Sequence, residues 1–176
     1  MGAPGSVDTL SGNDYEKWIT KYINTHFSGF GLKALRQVSF GRHRLGIPDK
    51  NDIFIKNKDG TRYLLVECKT QDTSGSKDEA LIYAITNAEE DPNRALIYRG
   101  KSFSNGIWNR LLQSRSCWFC SPNKAIEGGP LRYSTAKKLK QGEPEEGDTW
   151  ELDHLLFVHF GLINEWMEDP TWRSQD

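Results

Sequence analysis

Apolar residues recur at helical spacing near the start of the chain. Tyr15, Trp18, Ile19, Tyr22 and Ile23 stand three and four apart, which gathers them on one face of a helix. Ser11 with Asp14 makes a capping-box start, and Gly29 and Gly31 supply the stop, so a helix is predicted over Ser11–Phe27. The pattern then shortens to runs of strand length. Leu32–Phe40 reads as a strand, though its alternation fails where Arg36 and Gln37 stand together. Gly41–Lys50 reads as a loop, Asp52–Lys56 as a second strand and Arg62–Thr70 as a third, with Asp59-Gly60 as the hairpin turn between them. Helical spacing returns in Ala80, Leu81, Ala84, Ile85 and Ala88, behind Ser76 and Glu79 as a second capping box. Arg94–Arg99 is a fourth strand and Asn105–Gln113 a short helix with Trp108 on its buried side. The predicted order is helix, three strands, helix, strand.

After Cys120 the texture changes. Lys124, Arg132, Lys137, Lys138 and Lys140 face a single acid, Glu127, and Gln141–Asp153 is then strongly acidic. Such a stretch reads as an exposed, partly mobile excursion over residues 121–153. Leu155–Phe160 resumes as an apolar strand or helix, and Leu162–Trp166 closes the fold. No repeat appears. The length, 176 residues, suits one domain over 11–176 (core about 11–120, closing segment 154–176) behind a short flexible leader at 1–10.

Composition narrows the class. Aromatics at 11% include six Trp, too many for a disordered chain. The net charge of −1 neither demands nor excludes a nucleic-acid partner, so local charge has to decide. Three cysteines argue against a disulfide framework and fit a reducing cytoplasm, as in a prokaryotic or phage-infected cell. Cys117 and Cys120 form one C-x-x-C, but no second pair completes a zinc site, and plain packing of Cys117-Trp118-Phe119-Cys120 in a strand is expected. The sequence predicts neither a signal peptide nor a membrane span.

The chemistry centres on Glu67-Cys68-Lys69, the one acid-x-lysine triplet closing an apolar run, Tyr63-Leu64-Leu65-Val66. Strand alternation sends Glu67 and Lys69 to the same face. Asp52 opens the preceding apolar run, Asp52-Ile53-Phe54-Ile55. If the two strands pair, Asp52 and Glu67 stand together, suited to hold Mg²⁺ while the lysine orients or deprotonates a water. Carboxylates on half-buried strands are costly without a cation. The pattern points to phosphodiester hydrolysis.

With these pieces in place, the element order, Pro48-Asp49-Lys50-Asn51-Asp52-Ile53-Phe54-Ile55 and Val66-Glu67-Cys68-Lys69-Thr70-Gln71 resemble the PD-(D/E)XK nuclease superfamily. The resemblance covers roughly residues 11–113 and is silent past Cys120. It implies an α/β fold with a restriction-endonuclease-like core, a mixed central sheet flanked by helices. It also implies a Mg²⁺-dependent DNA endonuclease (Mn²⁺ substituting) of restriction or homing type, acting as a homodimer or higher assembly. Asp52 and Glu67 would bind the metal with the Cys68 carbonyl, Lys69 would activate water, and Glu16 stands where many members carry a helix acid. Asp49 is the literal Pro-Asp acid and remains an alternative to Asp52.

Several residues carry two readings. Glu16 is either a site residue or a helix acid near the positive end of the dipole. Gln71 shares the face of Glu67 and Lys69, placed either to bind a phosphate or metal-bound water or to satisfy the turn. Arg42, Arg44 and Lys50 belong to a basic loop suited to phosphate contacts, and His43 in that loop needs no role. Lys124, Arg132, Lys137 and Lys138 either enter a DNA groove or form a solvated face. Two alternatives stand beside the DNA endonuclease: a non-catalytic nucleic-acid-binding module of the same fold, and an RNA- or junction-specific nuclease.

Overall fold

The computed structural model describes residues 11–42, 48–71, 78–100, 102–123 and 146–164. A meander of three antiparallel strands forms the first half of the sheet: β1 (Lys33–Arg42), β2 (Pro48–Lys56) and β3 (Tyr63–Gln71). Parallel strands β4 (Arg94–Gly100) and β5 (Cys117–Phe119) extend it in the order β1-β2-β3-β4-β5. The crossovers are helices α2 (Asp78–Glu90) and α3 (Asn105–Gln113). Parallel neighbours need such long connections. A small second sheet pairs β6 (Ser121–Asn123) with β7 (Glu146–Asp148), and α4 (Trp150–His159) follows. The fold is the expected α/β arrangement, a mixed five-stranded sheet between helices.

Helix α1 (Gly12–His26) forms as its spacing predicts. Ser11 Oγ accepts from the Asp14 N–H at 3.1 Å, satisfying one of the donors that a helix start leaves open. Tyr15, Ile19 and Ile23 are buried against Ile53, Ile55, Leu64, Val66, Ala95 and Ile97, and Leu152, Leu156 and Phe157 of α4 complete that layer. Leu96, Tyr98, Cys117 and Phe119 pack on the opposite face with α2 and α3. A side-chain clamp ties α1 to β1: Asn24 accepts from the Ala34 N–H at 2.8 Å and donates to the Ala34 carbonyl at 3.0 Å. Ala34 lies on the edge strand, so Asn24 occupies backbone groups that a further strand would otherwise take.

Four expectations need correction. Pro48–Lys50 is strand rather than loop, because Ser39↔Lys50 and Arg42↔Pro48 continue the β1–β2 ladder through polar residues; backbone pairing asks nothing of side-chain polarity. Arg42 and Lys50 are therefore strand residues, and Asp52 lies inside β2 rather than opening it. Both ends of the segment expected as an excursion are folded, into β6, β7 and α4. There Asp153, only 3% exposed, accepts from Tyr22 Oη at 2.6 Å and from Thr149 Oγ1 at 2.9 Å, so an acid that reads as solvated is paired inside. The stripe of α2 starts at Leu81, Ala80 being exposed. Leu155–Phe160, left as strand or helix, is helix through His159. The leader 1–10, Ser76 and Trp166 lie outside the described residues.

Cys117 and Cys120 are buried free thiols, as plain packing requires. Trp108 is buried, and Trp118 in β5 stacks on His154 of α4. Among the described residues no helix is long and apolar enough to cross a membrane.

Candidate active site

The sheet opens around Asp52. Pairing between β2 and β3 ends at Ile53↔Val66, one step short of Asp52 and Glu67. Beyond that point the Cys68 N–H, released from the ladder, donates to Asp52 Oδ2 at 2.8 Å. A carboxylate thus takes over where a strand carbonyl would have been, and it is fixed in the gap between two strands. On the other side of β2, pairs Arg36↔Ile53 and Val38↔Asn51 flank Asp52 while Gln37, the position facing it, is unpaired.

Glu67 and Lys69 share a face, as alternation requires, with Lys69 Nζ 3.1 Å from Glu67 Oε1. Both are part-exposed, so this contact adds little to stability, and its value lies in holding the ammonium beside the acid. Burial pushes the Glu67 carboxyl up, and the Asp52 charge pushes the same way, against Lys69 and Arg94. Cys68 between them is buried with its thiol held well above its ordinary value by desolvation and by the surrounding acids. It is a packing residue, not a nucleophile.

Glu16 reaches the site from α1. It is 7% exposed, and Gln37 Nε2 and Arg36 Nη2 donate to its two oxygens at 2.7 and 3.2 Å. Arg36 is itself held by Asn13. The Glu16 carboxyl is raised to about 7, first by burial, then by a hydrogen bond and charge repulsion from Asp52, with Arg36 opposing. Burial and the Asp52 charge thus both work against a second negative charge at Glu16, a repulsion that a bound cation would offset.

That donor set fits a hard divalent ion. Asp52 and Glu67 offer oxygens alone, and repulsion among the acids is the strain that such an ion relieves. Among the described residues no three His, Cys, Asp or Glu side chains form a ready-made cage, so water and main-chain carbonyls would have to complete the shell.

The other expected site residues divide. Gln71 ends β3 and donates from Nε2 to the Ser102 carbonyl at 3.0 Å, while the Ser102 N–H donates to the Gln71 carbonyl at 3.1 Å. Lys50 is exposed on β2 and Arg42 ends β1. Asp49 lies in β2 three positions before Asp52. Arg44, His43, Lys124, Arg132, Lys137 and Lys138 lie outside the described residues. Sequence reasoning missed Arg36, Gln37 and Arg94. Arg94 donates to buried Asn51 at 3.1 Å and bears on Glu67 through its charge. For Arg36 and Gln37 the failed alternation in β1 was the available signal.

Neither a curated protein nor a solved structure matches the chain. A profile of the PD-(D/E)XK nuclease superfamily domain matches residues 11–162, continuing through α4 and well past the point where the sequence motifs end. Over that span, from α1 to the turn after α4, the chain belongs to the PD-(D/E)XK nuclease superfamily.

Proposed function

We propose that this protein is a Mg²⁺-dependent DNA endonuclease, with Mn²⁺ able to substitute, that cuts both strands at specific sequences in the manner of restriction or homing enzymes. The observation that carries the reading is Asp52, held by the Cys68 N–H at a break in the sheet beside Glu67, with Lys69 3.1 Å from Glu67 and Glu16 bearing on Asp52 from the other side.

Asp52 and Glu67, with the Cys68 carbonyl, would hold the ion, and Glu16 would serve it or a second one. When bound, a divalent cation neutralises the acids and the substrate phosphate and acidifies a water for attack. Lys69, steadied by Glu67, orients that water in line with the scissile bond and offsets charge gathering on the phosphoryl oxygens. The water oxygen bonds to phosphorus, the bond to the 3′ oxygen breaks, and that oxygen takes up a proton. The products are a 5′-phosphate and a 3′-hydroxyl. Each chain carries one such site, so cutting both strands calls for a homodimer or higher assembly. Arg42, Arg44, Lys50 and the basic residues Lys124, Arg132, Lys137 and Lys138 are the groups suited to the DNA backbone.

The test uses supercoiled plasmid and phage genomic DNA, with Mg²⁺ or EDTA, against wild type and Lys69→Ala. Discrete fragments are expected from wild type with Mg²⁺ alone, and a loss of about a hundredfold or more in Lys69→Ala. Cleavage confined to branched DNA or RNA would redirect the substrate assignment. Metal-independent binding with no cleavage of any of these substrates would leave a binding module and end the enzymatic reading.

A further inference from the structure

Gln37 is the one non-glycine among the described residues with a positive φ, +55°. In that left-handed region the β-carbon crowds the backbone, so glycine sits there freely, asparagine tolerably and other residues at a cost. A kink in an edge strand can serve simply to bend it, but glycine or asparagine would do that with less strain. The glutamine therefore has to be explained by its side chain.

Its position supplies the explanation. Regular alternation would turn Arg36 toward α1 and Gln37 away from it. Instead both reach the same carboxylate, Arg36 at one oxygen of Glu16 and Gln37 at the other, 2.7 Å away. Two successive strand residues can share one target because the left-handed residue between regular segments reorients its side chain. The kink also falls opposite Asp52, where β1 and β2 are unpaired between Arg36↔Ile53 and Val38↔Asn51. We infer that Gln37 is a positioning residue of the active site: its strained backbone delivers an amide that fixes the Glu16 carboxylate against Asp52. The contact stands on geometry alone, while its value for function rests on the nuclease reading.

Two measurements test this on the full chain. The first is a double-mutant cycle of Gln37→Gly and Glu16→Ala, followed by urea unfolding in EDTA. Glycine relieves the same strain in both backgrounds but loses the amide contact only where Glu16 is present. The unfolding equilibrium constant should therefore show a coupling of at least threefold. The second is Mn²⁺ binding, read from the electron paramagnetic resonance of free Mn²⁺, for wild type, Gln37→Gly, Gln37→Asn and Asp52→Asn. Asparagine tolerates the backbone but is one methylene too short to hold Glu16. Both Gln37 variants should stay folded and bind Mn²⁺ at least fivefold more weakly than wild type. Absence of coupling overturns the inference. Coupling with unchanged Mn²⁺ affinity overturns it as well, reducing Gln37 to a structural contact. If wild type binds no more Mn²⁺ than Asp52→Asn while the coupling persists, the metal reading of the site fails, and the functional role of Gln37 falls with it.

Discussion

Replacing Glu16 with glutamine keeps the side chain's length and an oxygen for the Gln37 amide, while removing the charge and the second oxygen that accepts from Arg36. In the folded protein the Glu16 carboxyl sits at about 7 against an ordinary 4.5, chiefly because it is buried and faces Asp52. Each power of ten in that displacement corresponds to about 1.4 kcal/mol, so ionised Glu16 costs the metal-free fold about 3 kcal/mol. The sign follows from proton binding. Below pH 4.5 both folded and unfolded chains hold the proton and no cost arises. Between 4.5 and 7 the folded chain alone keeps it, so stability falls as pH rises, and above 7 the full cost is present. Urea unfolding of wild type and Glu16→Gln in EDTA, from pH 5 to 8.5, reads this group together with its coupling to Asp52, since titrations remote from the site cancel between the two. Glu16→Gln should gain on wild type by about 2–3 kcal/mol across that range. A difference that stays constant within about 0.5 kcal/mol would refute the placement of Glu16 as a strained acid.

Tyr22→Phe should lower unfolding stability by about 1.5–3 kcal/mol, because buried Asp153 loses the hydroxyl 2.6 Å away; urea unfolding that shifts by less than about 0.5 kcal/mol would show the pair to be unimportant. Gly100→Ala should cost about 2 kcal/mol or more, since φ is +121° there and the new methyl would meet the Gln71 carbonyl. A thermal midpoint equal to wild type would contradict that crowding.

Much of the architecture was legible because its signals are local. Ser11 and the spacing of Tyr15, Ile19 and Ile23 define α1, and Asp59-Gly60 defines the hairpin that brings β2 beside β3. Asp52, Glu67 and Lys69 were legible for the same reason, being strand positions whose faces follow from counting. Pro48–Lys50 was not, because its pairing belongs to the backbone. Helix α4 was half hidden: Leu152, Leu155, Leu156, Phe157 and Val158 leave little polar contrast around its circumference, and its buried acid reads as solvated until Tyr22 is seen against it. Glu16 was suggested by resemblance alone, for nothing in a helix sequence says that a strand glutamine with a left-handed backbone will reach it. Gln37 itself appeared only as a flaw in a pattern.

The β2–β3 hairpin has a consequence for the order of folding. Asp52 and Glu67 lie on strands joined by a short turn, so little loop entropy is lost in bringing them together, and contacts so close in sequence form early. Glu16 reaches the sheet only through the packing of α1 on it, which is expected to come later. Asp153, which ties α4 back to Tyr22, closes a loop of more than a hundred residues and belongs with the last steps. On loop entropy alone, Asp52 and Glu67 are expected to come together before Glu16, while the chain around them is still open to water. On that order, the burial that raises Glu16 is expected to arise only as α1 docks.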